Sequence, residues 1–378
     1  MKIVFVVNEL NFFLRTHINL AKRISEFHEV SLIADTSKST ADDLDTLKRM
    51  GISLHILNRK RNANKALSYF SFIFSLTGLI KRINPKYIFY ITLELSFFGS
   101  LISYFLRVKK SIYIVTGLGP FFFRKDLKYK IFDKLQRYSF LLTSILKKNF
   151  LFIFLNYEDM YLLCHRYKIK ESDCQLIHGE GIDELEFRYI EREQDVPKFL
   201  LASRLVQSKG IEDYMACAKK IKQHYSQAQF AIAGIYDPYN PESIATELFE
   251  EIKLSEDILF LGEISHNQME ECFHKNNIFV LPSEREGLPK AAAEAASTGM
   301  PLILSDVPGC QECVIDGETG RLISYQDRSE LYDAMESFIL DAGLISTMGK
   351  KSAEFAKKKF SLGVIEKQYL DIISKEKL

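Results

Sequence analysis

Glu286 and Glu294 stand eight positions apart in EREGLPKAAAEAASTG, residues 284–299. Such a pair reads in three ways: an acid and a nucleophile across one bond, two acceptors gripping one ligand, or charges on a helix surface. Local signals place both residues. IFVLPSE has strand character, and Gly287-Leu288 marks a turn. Pro289 suits a first helical position, because the amide hydrogen it lacks is unpaired there anyway. Gly299 suits the left-handed cap at the other end. Glu286 therefore falls in a loop and Glu294 inside a helix, among alanines that would otherwise pack closely. The amides of such a helix start form a ready phosphate site.

ASRLVQSKGI offers the complementary charge. Its strand ends near Arg204, and Lys209-Gly210 opens the next helix. Two cations at the carboxyl edge of a strand can neutralise a diphosphate, the arginine bidentately. For either one alone, a solvated loop charge is the better reading. In TGLG, Gly117 and Gly119 follow a strand and let backbone approach a ligand; a plain turn has the same composition. HGEGID, residues 178–183, repeats that glycine theme at the seam between the two patterns, where a hinge has the same composition. Cys310 and Cys313 form a lone pair, too few ligands for tetrahedral zinc. No Asp-x-Asp cluster follows a strand, so no metal is expected.

These residues need rigid elements behind them. KIVFVVN, EVSLIAD, ISLHILN, YIFYIT, SIYIVTG and FLFIFLN read as buried strands, β-branched and aromatic without alternation. Helical spacing fills the gaps, as in RTHINLAKRISEF and ADDLDTLKRMG. The pattern restarts after residue 183 with FLLASRL, QFAIAGI, DILFLGEI, NIFVLPS and PLILSDV. The expected fold is α/β, with two doubly wound Rossmann-like lobes facing across a cleft. Expected boundaries are 1–183, 184–358 and a C-terminal helix over 359–378 that returns toward the first lobe.

The whole chain bounds the remaining choices. At 378 residues, 47% hydrophobic and 26% charged, it suits two globular domains. Residues 1–180 carry 28 Lys and Arg against 15 Asp and Glu, and the remainder carries 22 against 34. That asymmetry fits a polyanionic or membrane partner for the first half, or electrostatic complementarity between lobes. Arg59-Lys60-Arg61, Lys65, Lys81-Arg82 and Lys109-Lys110 alternate with Phe and Tyr, which suits an anionic membrane. The aromatics from Tyr69 to Phe74 are expected to fill the core. YFSFIFSLTGLI, the longest apolar run, is too short to span a membrane. The N-terminus lacks a signal-peptide pattern and six scattered cysteines fit a reducing compartment, so the protein is expected to be cytoplasmic.

Together these segments resemble the family 4 retaining glycosyltransferases of GT-B fold. The likeness is strongest in PSEREGLPKAAAEAASTGMPLILSDVPGCQECVIDGETGRLI, which is similar to the subgroup building bacterial capsule, O-antigen and lipid-linked glycans. The resemblance implies that Arg204 and Lys209 hold the donor diphosphate and stabilise the leaving group. It puts Glu286 against the transferred sugar and Glu294 on the ribose hydroxyls. Gly287, Leu288 and Pro289 would line the donor, and Gly234, Gly262 and Ile264 the nucleotide pocket. Many relatives have a histidine before the glycine pair where this chain has Thr116, as the subgroup often does. NELNFFLRTH replaces the usual glycine-rich loop after the first strand. His17 there is either an acceptor-side residue or a helix-capping or surface histidine.

The same resemblance implies a UDP-sugar donor, a hexose or N-acetylhexosamine as the transferred group, and a polyprenyl-diphosphate-linked saccharide acceptor. It implies front-face attack with retention and no cofactor, at the cytoplasmic face of the inner membrane; no nucleic acid partner is expected. The rivals are a UDP-sugar 2-epimerase of the same fold and a non-catalytic sugar-nucleotide binder.

Overall fold

The computed structural model describes residues 1–57, 65–106, 108–118, 122, 127–146, 149–192 and 196–374. The chain divides into two compact units, Met1–Glu180 with Glu366–Leu378, and Gly181–Ile365.

The first unit holds a seven-stranded sheet: β1 (Lys2–Glu9), β2 (Glu29–Asp35), β3 (Ser53–Ile56), β4 (Tyr87–Ile91), β5 (Lys110–Val115), β6 (Phe150–Phe154) and β7 (Cys174–Leu176). Its order is β3-β2-β1-β4-β5-β6-β7, and all pairings are parallel. β4 is buried at every position, as continuous apolar runs require when helices cover both faces. One face carries a core of Tyr90, Tyr113, Phe152 and Phe154 beneath helices that contribute Phe72, Phe98, Phe140 and Tyr167.

RTHINLAKRISEF is not one helix. Helices Leu10–Thr16 and Ile18–Ser25 meet at His17, which ends the first and precedes the second. The helical spacing continues through the break, so periodicity alone does not reveal it. The aromatics near position 72 divide: Phe72 is in the core, whereas Phe74 is 83% exposed. The expected core role therefore fails for Phe74, which lies roughly 200° around the helix from Phe72. Arg59, Lys60 and Arg61 lie outside the described residues.

The second unit holds β8 (Lys198–Ala202), β9 (Gln229–Ala233), β10 (Leu259–Gly262), β11 (Ile278–Leu281), β12 (Leu302–Ser305) and β13 (Gly320–Ile323), ordered β10-β9-β8-β11-β12-β13 and all parallel. Alternate residues serve two cores. Phe199, Leu201 and Val280 face one, and Leu200, Ala202 and Leu281 the other. Strand order reverses between β8 and β11, which places a ligand crevice outside their carboxyl ends. β7 and β13 were not foreseen. Three and four residues long, with a glycine and an arginine in β13, they lack the β-branched runs that marked the others.

Candidate active site

The loops after β8 and β11 diverge at that reversal and are tied to each other. Glu284 N donates to Ser208 O at 2.9 Å. Gly210 has φ +66°, and a Cβ there would lie 2.1 Å from Pro282 O. Glycine is thus required twice over, by conformation and by space. Lys209 closes a short 3-10 turn, Gln207–Lys209, directly before Gly210.

That junction brings two expected site residues into contact. Lys209 Nζ pairs with Glu286 Oε1, and Ser283 Oγ donates to the same oxygen at 2.8 Å. Both charged side chains are largely buried, so the pair is shielded from solvent screening. The backbone beneath Glu286 is braced as well. Glu286 N donates to Pro308 O at 3.3 Å, and a Cβ on Gly309 would lie 2.5 Å from Glu286 O. Arg204 lies on the same β8 loop, is exposed, and forms no ion pair among the described residues.

Pro289 is the residue capping the helix Lys290–Ser297, not its first helical position as the sequence predicted. Among the described residues no side chain caps this N-terminus, whose dipole favours an anion. Gly287 and Leu288 are half-buried in the loop that leads into it. Gly299 follows the helix with φ +90°, in the expected left-handed conformation.

Glu294 is not a surface charge. It is 4% exposed in a helix whose Ala292, Ala293, Ala295 and Ala296 fill a core. Lys290 Nζ stands 3.4 Å from its Oε1, yet among the described residues that oxygen accepts no hydrogen bond. Burial pushes the Glu294 carboxyl above its ordinary range, opposed by the charges of Lys290 and His266. An unsatisfied buried carboxylate oxygen costs about 1–3 kcal/mol, a cost that ligand hydroxyls would remove.

Sequence reasoning missed the groups around these carboxylates. Ser283 and Gly309 act on Glu286 from three residues before it and from the loop after β12. His266 Nε2 meets Glu186 Oε1 at 3.1 Å, and both act electrostatically on Glu294. No residue-type pattern marks such partners, which adjoin only after folding.

The softer assignments sit at strand ends of the same sheet. Gly234 N donates to Gly262 O at 2.8 Å, and a Cβ on Gly234 would lie 1.9 Å from Ser203 O. Gly262 has φ +71° with open space at its Cβ position, and Ile264 is half-buried against the alanine-side core. In the first unit, Thr116 and Gly117 follow β5, Gly117 with φ +144°; Gly119 lies outside the described residues. His17 is 1% exposed, with Nδ1 2.7 Å from Thr16 Oγ1 and its ring stacked on Phe13, so it is not a surface histidine. Cys310 and Cys313 are both buried, and desolvation pushes both thiols up.

Two parallel-sheet Rossmann-like units, with cations and carboxylates at the carboxyl ends of one sheet, define a GT-B glycosyltransferase. Residues 183–358 match the family described as Glycosyl transferases group 1, and residues 2–153 match Glycosyl transferase 4-like. The chain belongs to the family 4 glycosyltransferases.

Among its relatives, it is 23% identical over 343 residues to an N,N'-diacetylbacillosaminyl-diphospho-undecaprenol alpha-1,3-N-acetylgalactosaminyltransferase of Campylobacter jejuni, covering 86% of each chain. Its fold matches the sucrose-phosphate synthase of Thermosynechococcus elongatus with TM-score 0.77 at 19% identity, over 99% of this chain and 98% of that one. It also matches Anabaena Alr3699/HepE in complex with UDP-glucose, with TM-score 0.77 at 17% identity, over 99% and 100%.

Proposed function

We infer that the chain is a retaining, metal-independent transferase. It moves a hexosyl or N-acetylhexosaminyl group from a UDP-sugar to a polyprenyl-diphosphate-linked saccharide, in bacterial surface polysaccharide synthesis. The observation that carries this reading is the buried Glu294, one oxygen of which accepts no hydrogen bond among the described residues, on the helix that directly follows the Lys209–Glu286 junction. It fits one extended donor gripped at two places, the ribose at Glu294 and the sugar at Glu286, with its diphosphate at Arg204, Lys209 and the helix start. The acceptor class follows the Campylobacter relative's name, and the donor class the UDP-glucose bound by the Anabaena protein.

In the proposed step the bond from the anomeric carbon to the UDP oxygen breaks, and its electron pair leaves with the diphosphate. Arg204, Lys209 and the helix dipole stabilise the charge that develops there. An acceptor hydroxyl attacks from the same face, and its proton passes to the leaving phosphate oxygen. Glu286 is treated as a binding group, because Lys209 and Ser283 already hold its carboxylate. A lipid-borne acceptor places the enzyme peripherally at the cytoplasmic face of the inner membrane.

The test is a panel of UDP-sugars incubated with undecaprenyl-diphosphate-linked saccharides, with the product's anomeric configuration read by NMR. Retention is expected. An inverted product, or conversion of the UDP-sugar with no acceptor present, overturns the reading.

A further inference from the structure

Four helices of the first unit form one layer over its sheet: Lys65–Ile83, Leu93–Leu106, Leu127–Leu146 and Tyr157–Tyr167. Neighbours are joined in that order. Phe72 packs on Phe98 with ring centroids 6.0 Å apart, Ser100 hydrogen-bonds Ser139, and Phe140 meets Tyr167 edge-on at 5.6 Å. Arg166 Nε meets Asp133 Oδ1 at 2.8 Å, tying the third helix to the fourth. With their inner faces spent on the core, the outer faces of such helices are ordinarily polar.

Here they are not. Phe74 is 83% exposed and Phe105 76%, while Leu135, Tyr138, Tyr157 and Tyr161 are each more than half exposed. Single exposed apolar residues are ordinary, but one on each of four adjoining helices makes a surface. Its charge is one-sided. Lys81, Arg82, Lys130, Lys134 and Arg137 are exposed, and Glu158 is the one exposed acid on these helices among the described residues. Lys81 stands two turns beyond Phe74 on the same stripe, and Lys134 and Arg137 adjoin Leu135 and Tyr138.

Aromatic rings set among cations match the chemistry of an anionic bilayer surface, where rings rest at the headgroup level and cations meet lipid phosphates. No described helix is long and apolar enough to cross a membrane, so this surface would lie on the bilayer rather than in it. We propose that the outer layer of these four helices is the face by which the first unit docks on anionic lipid. The proposal rests on the reading that the acceptor is lipid-borne, and it adds which surface makes the contact.

The experiment is flotation of the full chain with phosphatidylethanolamine vesicles, with and without phosphatidylglycerol. One variant combines Phe74→Ser, Phe105→Ser and Tyr138→Ser; a second combines Lys81→Gln, Arg82→Gln, Lys134→Gln and Arg137→Gln. Wild type should float with phosphatidylglycerol vesicles. The charge variant should lose about fivefold in affinity per cation at low salt, and less at high salt. The aromatic variant should lose about tenfold or more at either salt.

Calorimetry with UDP and thermal unfolding show that each variant is folded. Folded variants that float like wild type overturn the assignment of this face and leave the membrane reading standing. Wild type that fails to float overturns the membrane reading itself. A dimer in light scattering that both variants dissociate makes the layer a protein interface, which also overturns the proposal.

Discussion

Lys209 and Glu286 are partners in one ion pair, and Ser283 donates to the same carboxylate oxygen. A cation assigned to the diphosphate and a carboxylate assigned to the sugar therefore hold each other before any donor arrives. Each holds the other's side chain in place in a largely buried site, so the donor meets a pre-set geometry.

This pair should show coupling. Lys209→Met and Glu286→Gln should each destabilise the fold by about 1–3 kcal/mol, since each strands a partly buried charge. The double variant should lose less than the sum of the two. Urea unfolding of all four proteins measures the coupling, and additive losses would mean the contact has no energetic role. Both single variants should lose most transfer activity.

Glu294 trades stability for binding. Its folded carboxyl titrates above the ordinary range, so its cost is absent at low pH and appears as pH rises through the folded value. Glu294→Gln should therefore stabilise the donor-free protein at neutral pH by about 1 kcal/mol, with the gain vanishing in acid. The same variant should bind UDP more weakly, because one acceptor of the proposed ribose contact is lost. Thermal unfolding across pH and calorimetry with UDP check both halves; a Gln variant that binds UDP like wild type would sink the ribose assignment.

His266 should set where that binding fails. Its charge favours the ionised form of Glu294, and its partner Glu186 opposes it. His266→Gln should move the acid limb of UDP affinity to higher pH, while Glu186→Gln, which removes an opposing charge, should not. An unmoved midpoint in His266→Gln would show that its field does not reach the carboxylate.

Two glycines separate conformation from contact. Gly262 and Gly309 both have positive φ, but only Gly309 has backbone where a Cβ would stand, 2.5 Å from Glu286 O. Gly262→Ala should cost about 1–2 kcal/mol, the ordinary left-handed penalty. Gly309→Ala should cost more and should lower transfer by displacing Glu286. Equal unfolding free energies for the two variants would refute the bracing contact.

Which elements form was legible because it depends on neighbours in sequence. Continuous apolar runs marked eleven of the strands, and the Gly-Leu-Pro step and Gly299 framed the helix that carries Glu294. The break at His17 and the short β7 and β13 escaped, because nothing in their local composition competes with the surrounding pattern. Phe74 escaped for a related reason: an aromatic in an apolar run looks like core until the helix's rotation on the sheet is known.

The sequence by itself determined the two α/β units and the residue types at the carboxyl ends of their strands, since periodicity and turn chemistry are local. The tertiary structure alone decided that Lys209 meets Glu286, that Gly309 braces it, and that Glu294 is buried with an oxygen left unsatisfied. The first contact joins loops 77 residues apart, and the second brings the loop after β12 against the loop after β11, both at one strand-order reversal. No propensity along the chain encodes that meeting. It follows from how the parallel strands stack.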